Sequence, residues 1–132
     1  MVEVYDADSF DLKLQDGRQV RVRLLGVDAP DGGEPLRGHA NAFARAKLPE
    51  GRTVLLEFGP QMWDSQGRLL AYVWLTAPGT SDVWEATGRM LNAVLLDKGY
   101  AHIEAKHENP KYGAVFRSVE RSAKRAKRGI WG

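Results

Sequence analysis

The stretch Phe10-Asp11-Leu12-Lys13-Leu14-Gln15-Asp16-Gly17-Arg18-Gln19-Val20-Arg21-Val22-Arg23-Leu24 decides how this chain folds. Phe10, Leu12 and Leu14 alternate with Asp11, Lys13 and Gln15, and the Asp16-Gly17 pair then marks a tight turn. Alternation resumes with Val20, Val22 and Leu24 against Arg21 and Arg23. A period of two on both sides of Asp-Gly predicts a two-stranded antiparallel ribbon with one dry face.

Working outward, Val2 to Tyr5 reads as a short strand before the ribbon. Asp28-Ala29-Pro30-Asp31-Gly32-Gly33 reads as a loop after it, since Pro and Gly interrupt regular structure. Gly38 to Leu48 has helical spacing, with Ala40, Phe43, Ala44 and Leu48 on one side and Pro49 as its end. Thr53–Phe58 and Leu69–Leu75 read as strands, Gly59–Gly67 as a turn, and Thr76–Gly88 as an excursion or small hairpin. A helix is expected over Arg89–Lys98, with Leu91, Val94 and Leu95 as its stripe and Gly99 as its stop. The last helix is expected to start at Asn109 and Pro110. It carries Tyr112, Val115, Phe116, Val119, Ala123 and Ala126 inward and stops at Gly129. The order of three strands, a helix, two strands and two helices predicts an α+β protein. Its core is a five-stranded, antiparallel Greek-key β-barrel of the OB-fold type with three packed α-helices, a fold that often binds oligonucleotides.

The 132 residues suit a single domain spanning 1–132, and 43% hydrophobic with 27% charged residues is a globular composition. The absence of cysteine rules out disulfides, cysteine-ligated metals and thiol catalysis. No apolar run is long enough to span a bilayer, so no membrane partner is expected, and monomer is the default state. Met1–Tyr5 has no basic region followed by an apolar stretch, so no signal peptide is read here. Localisation stays open, with secretion following only if a leader was removed. The net charge of +2 is uneven: residues 1–100 hold 11 Lys+Arg and 14 Asp+Glu, whereas 101–132 hold 8 and 3. The basic run from Arg117 to Arg128 reads as the solvated face of a helix, with affinity for polyanions as the sharper alternative.

The acidic front carries the chemistry. Residues 1–35 contain eight Asp+Glu against four Lys+Arg, with Asp6, Asp8, Asp28 and Asp31 at strand ends and in the following loop. Crowded carboxylates repel one another, and a bound cation relieves this. An oxygen-only donor set suits a hard ion such as Ca²⁺ or Mg²⁺; the plainer reading is that these aspartates form turns and caps. Arg23 and Arg68 add two planar forks that match phosphate oxygens, although either arginine taken alone reads as a surface ion pair. His39, His102 and His107 do not form a site by spacing. Trp63, Trp74, Trp84 and Trp131 read as core and edge packing.

Asp6-Ala7-Asp8-Ser9-Phe10, Val22-Arg23-Leu24-Leu25-Gly26-Val27-Asp28-Ala29-Pro30-Asp31 and Gly67-Arg68-Leu69-Leu70-Ala71-Tyr72-Val73 together resemble the staphylococcal nuclease-like (thermonuclease) family. Leu91-Asn92, Gly99-Tyr100-Ala101 and Gly129-Ile130-Trp131 also match, in the same order, so the resemblance covers nearly the whole chain. It implies a Ca²⁺-dependent phosphodiesterase acting on DNA and RNA with a 3′-phosphate product, and a single strand would fit a shallow open face better than a stiff duplex, so single-stranded or breathing substrate is expected to be preferred. By position, Asp8 and Asp28 match the metal-binding carboxylates, and Ala29 would offer a backbone carbonyl. Arg23 and Arg68 match the phosphate-binding arginines. Leu24, Gln66, Leu70 and His107 match substrate-contacting positions.

The sequence departs from the family at Asp31, which stands where the family has the glutamate cast as general base. One methylene shorter, Asp31 cannot reach the same water without a shift; Glu34 is a nearby alternative, poorly held by Gly32 and Gly33. Ala105 and His107 stand where the family often places tyrosines. A domain of this family that binds nucleic acid or protein without cleaving is the alternative reading.

Overall fold

The computed structural model describes residues 3–77, 79, 86–104 and 111–132. Among these residues it is an α+β architecture of seven short strands, four helices and a closing 3-10 turn. Strands β1 (Glu3–Asp6), β2 (Ser9–Lys13), β3 (Gln19–Leu24) and β4 (Val27–Asp28) come first, then α1 (Arg37–Lys47), β5 (Leu55–Glu57) and β6 (Leu69–Trp74). Helices α2 (Ala86–Arg89) and α3 (Leu91–Asp97), strand β7 (His102–Ile103), helix α4 (Gly113–Arg125) and a 3-10 turn at Gly129–Trp131 complete the order. No helix among the described residues is long and apolar enough to cross a membrane.

The ribbon forms as its alternation requires. β2 and β3 pair antiparallel with Phe10 opposite Val22 and Leu12 opposite Val20. Phe10, Val22 and Leu24 are fully buried. The turn closes over Gln15–Gly17: the Leu14 N–H donates to the Arg18 carbonyl at 2.8 Å, and Gly17 takes the left-handed φ of 91° that such a loop requires. The same device recurs before β6. There the Asp64 N–H donates to the Arg68 carbonyl at 2.9 Å, and Gly67 sits at φ 76°.

The expectation of an all-antiparallel barrel needs correction. The sheet runs β1-β2-β3-β6-β5, and β3 pairs with β6 in parallel, with Val22 opposite Leu69 and Leu24 opposite Ala71. A parallel neighbour needs a long crossover, which α1 and β5 supply. The mixed five-stranded sheet with its helices is consistent with an OB-like fold, and among the described residues no ladder joins β5 to β1. A separate pair, β4 with β7, lies where a loop and a connection were expected; it sets Asp28 opposite His102.

The helices also differ from expectation: four are present among the described residues where three were expected. The expected Arg89–Lys98 helix is α3, beginning at Leu91, and the additional α2 falls in the stretch read as an excursion; Met90 divides them because it is extended (φ −102°, ψ 125°) and bridges to Trp74 while the Leu75 N–H donates to the Arg89 carbonyl. Sheet hydrogen bonding of a fully buried Met90 has overridden helical spacing. α3 is buried on all sides rather than along a stripe. Asn92 ties it to the sheet, accepting from the Val73 N–H at 3.0 Å and donating to the Leu25 carbonyl at 2.9 Å. Gly99 ends α3 at φ 74°, and a Cβ there would meet the Arg128 carbonyl at 2.2 Å. The expected cap at Asn109 and Pro110 lies outside the described residues, as does Trp84. α4 ends at Arg125, with Lys127 at φ 54°, ahead of the expected stop, and Ala126 is exposed. Arg117, Arg121, Lys124 and Arg125 are solvated, as read. Trp74 is buried in the core, whereas Trp63 is 45% exposed.

Candidate phosphate cleft

The parallel pairing of β3 with β6 makes the site. It sets the end of β3 beside the start of β6, so Arg23 and Arg68, remote in sequence, line one open cleft of about 420 Å³. Leu24, Leu25, Asp28, Gln61, Asp64, Ser65, Leu70 and Glu104 line it with them.

Arg23 leaves β3 on the polar face, and its side chain is only 12% exposed. Its Nη1 donates to the Leu24 carbonyl at 2.9 Å and to the Val27 carbonyl at 2.7 Å; its Nη2 donates to Asp28 Oδ1. Asp8 Oδ2 lies 3.4 Å from Nη1, and Glu104 Oε2 lies 3.8 Å from Nη2. One guanidinium thus stands among three carboxylates. An arginine cannot shed its charge, so it keeps this acidic cluster together at neutral pH.

Arg68 is held differently. Its Nε donates to Asp64 Oδ2 at 2.6 Å, while Asp64 Oδ1 accepts from the Arg68 and Gln66 backbone N–H groups. Burial pushes the Asp64 carboxyl up, but these hydrogen bonds outweigh it and hold the group below the usual range. Asp64 therefore aims Arg68 through Nε. The terminal Nη groups of Arg68 have no hydrogen-bond partner among the described residues.

Asp8 is the most deeply buried carboxylate here. It is buried, and its Oδ2 accepts from the Ala29 N–H at 2.8 Å. Burial pushes its carboxyl above the ordinary value. Arg23 and the Ala29 hydrogen bond oppose this, and the charges of Asp28 and Asp6 add to it. Asp6 is otherwise engaged with Arg37, whose Nε donates to it at 2.7 Å.

Asp8 and Asp28 both contact Arg23 and offer only oxygen, which fits a hard cation. No group of three or more His, Cys, Asp or Glu is arranged as a cation cage among the described residues. Water, backbone and substrate oxygens would have to complete any coordination.

Of the residues picked from sequence, Arg23, Arg68, Asp28, Leu24 and Leu70 come together at the cleft, with Asp8 behind Arg23 and Ala29 bonded to Asp8. Gln66 is exposed and does not line it. Asp31 is exposed and outside the lining, in a turn where its N–H donates to Glu34 Oε1 at 3.2 Å. His107 and Ala105 lie outside the described residues. Asp64 and Glu104 were missed. Asp64 had a local signal, since it opens an Asp-x-x-Gly turn four residues before Arg68. Glu104 had none: the β4–β7 pairing delivers it, with its N–H donating to the Gly26 carbonyl at 3.0 Å.

A sequence-family model described as "Staphylococcal nuclease homologue" matches residues 21–132. The chain is 29% identical over 137 residues to a thermonuclease of Staphylococcus hyicus, covering 99% of this chain and 73% of that protein. It is 31% identical over 134 residues to a thermonuclease of Staphylococcus intermedius, covering 97% and 72% respectively. With the paired arginines of the cleft falling inside the matched region, the chain belongs to the staphylococcal nuclease family.

Proposed function

We propose that this protein is a Ca²⁺-dependent nuclease that hydrolyses phosphodiester bonds of single-stranded or breathing DNA and RNA and leaves 3′-phosphates. The observation that carries this reading is the convergence of Arg23 and Arg68 on one cleft that also holds Asp28. Two guanidinium groups set in advance around one phosphate meet the negative charge that grows on its oxygens during attack, and interactions that strengthen as charge develops lower the barrier. Asp8, Asp28 and the Ala29 backbone would hold the cation, which supplies Lewis-acid polarisation of a phosphoryl oxygen. Arg68 is aimed by Asp64, and Arg23 by the Leu24 and Val27 carbonyls. An open cleft of this kind suits a flexible single strand better than a stiff duplex.

The thermonuclease relatives support the same reading. The alternative, a domain that binds nucleic acid without cleaving it, is favoured by one observation, the position of Asp31 outside the cleft. Digestion of plasmid, single-stranded DNA and RNA with Ca²⁺ and then with chelator separates the two. The nuclease reading expects Ca²⁺-dependent fragments ending in 3′-phosphate; bound but intact nucleic acid under both conditions would leave only the binding module.

A further inference from the structure

We propose that the outer face of α4 holds the phosphate backbone of a nucleic acid where it runs outside the cleft, an inference that takes its partner from the nuclease reading above. Arg117, Arg121 and Arg125 recur at intervals of four, so they form one stripe along the helix, and each is exposed. Val115, Phe116, Val119 and Ala123 are buried on the opposite side. At a rise of about 1.5 Å per residue the stripe is about 12 Å long, enough to meet about three phosphates of one strand at about 3.4 Å each. Neighbouring cations are engaged: Lys124 Nζ lies 3.3 Å from Glu120 Oε1, and Arg128 Nη1 lies 3.0 Å from Asp97 Oδ1. Among the described residues the three arginines of the stripe have no hydrogen-bond or ion-pair partner.

Two features set this stripe apart from an ordinary solvated face. Like charges four apart on a helix repel, and Arg117 and Arg121 stand ahead of the last turn, where the helix dipole does not favour a cation. A polyanion relieves that repulsion, and each guanidinium fork matches two phosphate oxygens. The charge of the chain is also divided. Residues 111–132 hold seven Lys+Arg and one Asp+Glu, whereas 1–110 hold 12 and 16. The cleft follows the acidic side, with Asp28, Asp64 and Glu104 against Arg23 and Arg68. It can grip a phosphate at contact but does not draw a polyanion from a distance; the face of α4 does.

The test follows a fluorescent single-stranded DNA of about 30 nucleotides by anisotropy, in chelator, between about 50 and 200 mM salt. The parent is compared with Arg117→Gln/Arg121→Gln/Arg125→Gln and with Lys13→Gln/Arg18→Gln/Arg45→Gln, which removes the same charge from exposed positions elsewhere. We expect the α4 variant to bind at least about tenfold more weakly at the lowest salt, with the slope of log affinity against log salt smaller by about 2, since each phosphate contact on a single strand contributes about 0.7. The control variant is expected to stay within about threefold of the parent. Gln is a good helix former and the repulsion is gone, so the α4 variant should melt no lower than the parent. If it does not fold, Arg121→Gln alone carries the test, with a slope smaller by about 0.7 as the supporting result and a parental slope as the overturning one. Parental affinity and slope in the α4 variant, an equal loss in the control, or a parent that binds anionic phospholipid vesicles and not the DNA overturns the inference. Ca²⁺ added to the parent and the same DNA keeps the two readings apart. Cleavage with an α4 variant that binds like the parent leaves the nuclease reading and removes the stripe; binding that needs the stripe, with no cleavage, leaves the stripe and removes the nuclease reading.

Discussion

The molecule buries carboxylates in two ways, and the contrast separates structure from function. Glu57, at the end of β5, accepts hydrogen bonds from Trp74 Nε1 at 2.9 Å, Tyr112 OH at 2.6 Å and Lys111 Nζ at 2.5 Å. Burial pushes its carboxyl up, but Lys111, Tyr112 and Trp74 together pull it below the ordinary range. Asp8, at the cleft, has one backbone donor and a share of one arginine, and there burial prevails and the carboxyl is raised. At Glu57 donors converge on one carboxylate, whereas at the cleft carboxylates converge on one cation. The first arrangement fastens β5, β6 and the start of α4 together, and also pushes the neighbouring Tyr72 hydroxyl, raised first by burial, to about 12. The second leaves Asp8, Asp28 and Glu104 sharing the one guanidinium of Arg23.

The largest expected effect breaks the cleft side of the contrast. Arg68→Ala should lower turnover on the order of 10²-fold or more, the scale of losing one preorganised donor, with little change in folding stability. Arg23→Ala should lower turnover as much and also destabilise the fold, since Asp8, Asp28 and Glu104 lose their shared counter-charge. Steady-state kinetics with a thermal melt checks both. Activity above a tenth of the parent's in both variants would remove the phosphate assignment.

Next in size is the response to the ion. At Ca²⁺ about 100 times its dissociation constant, the parent should gain about 2.7 kcal/mol in unfolding free energy. A melting curve that ignores Ca²⁺ would show that Asp8 and Asp28 hold no ion.

On the structural side, Glu57→Gln turns one acceptor oxygen into an NH₂ facing donors and should cost on the order of 1–3 kcal/mol by denaturant unfolding. Because the folded Glu57 value lies below the unfolded 4.5, its contribution is present above 4.5 and is lost as pH falls through the folded value. The variant should lose that part of the acid dependence; an unchanged acid profile would mean the network does not stabilise the fold.

The smallest effect has the opposite sign. Asp8→Asn should stabilise the chain at neutral pH by on the order of 0.5–1 kcal/mol while abolishing the Ca²⁺ response. The folded Asp8 value lies above the unfolded 3.8. Its stabilising protonation is therefore complete below 3.8 and is lost as pH rises through the folded value, so the advantage of the variant grows with pH. A variant less stable than the parent at neutral pH would show that Asp8 is a satisfied structural group.

How far the sequence could be read depended on the range of the forces involved. The β2–β3 ribbon, its Gly17 turn and the Gly99 stop were legible because each is set by residues within one turn or one pleat of each other. The break at Met90 was not: the spacing around it is helical, and only pairing with Trp74 pulls it out. Arg23, Arg68, Asp8 and Asp28 were picked from residue type and order. Glu104 escaped because nothing near it in sequence distinguishes it from a surface glutamate.

The sequence by itself determined the alternating strands, the helix stripes, the turn glycines and a set of acidic and basic residues suited to a phosphate and a cation. Only the tertiary structure decided that β3 and β6 run parallel, that Arg23 and Arg68 therefore share one cleft, and that Glu104 enters it while Asp31 stays outside. Local propensities act over a few residues, whereas the parallel crossover and the β4–β7 pairing join segments brought together only by burial of the common core.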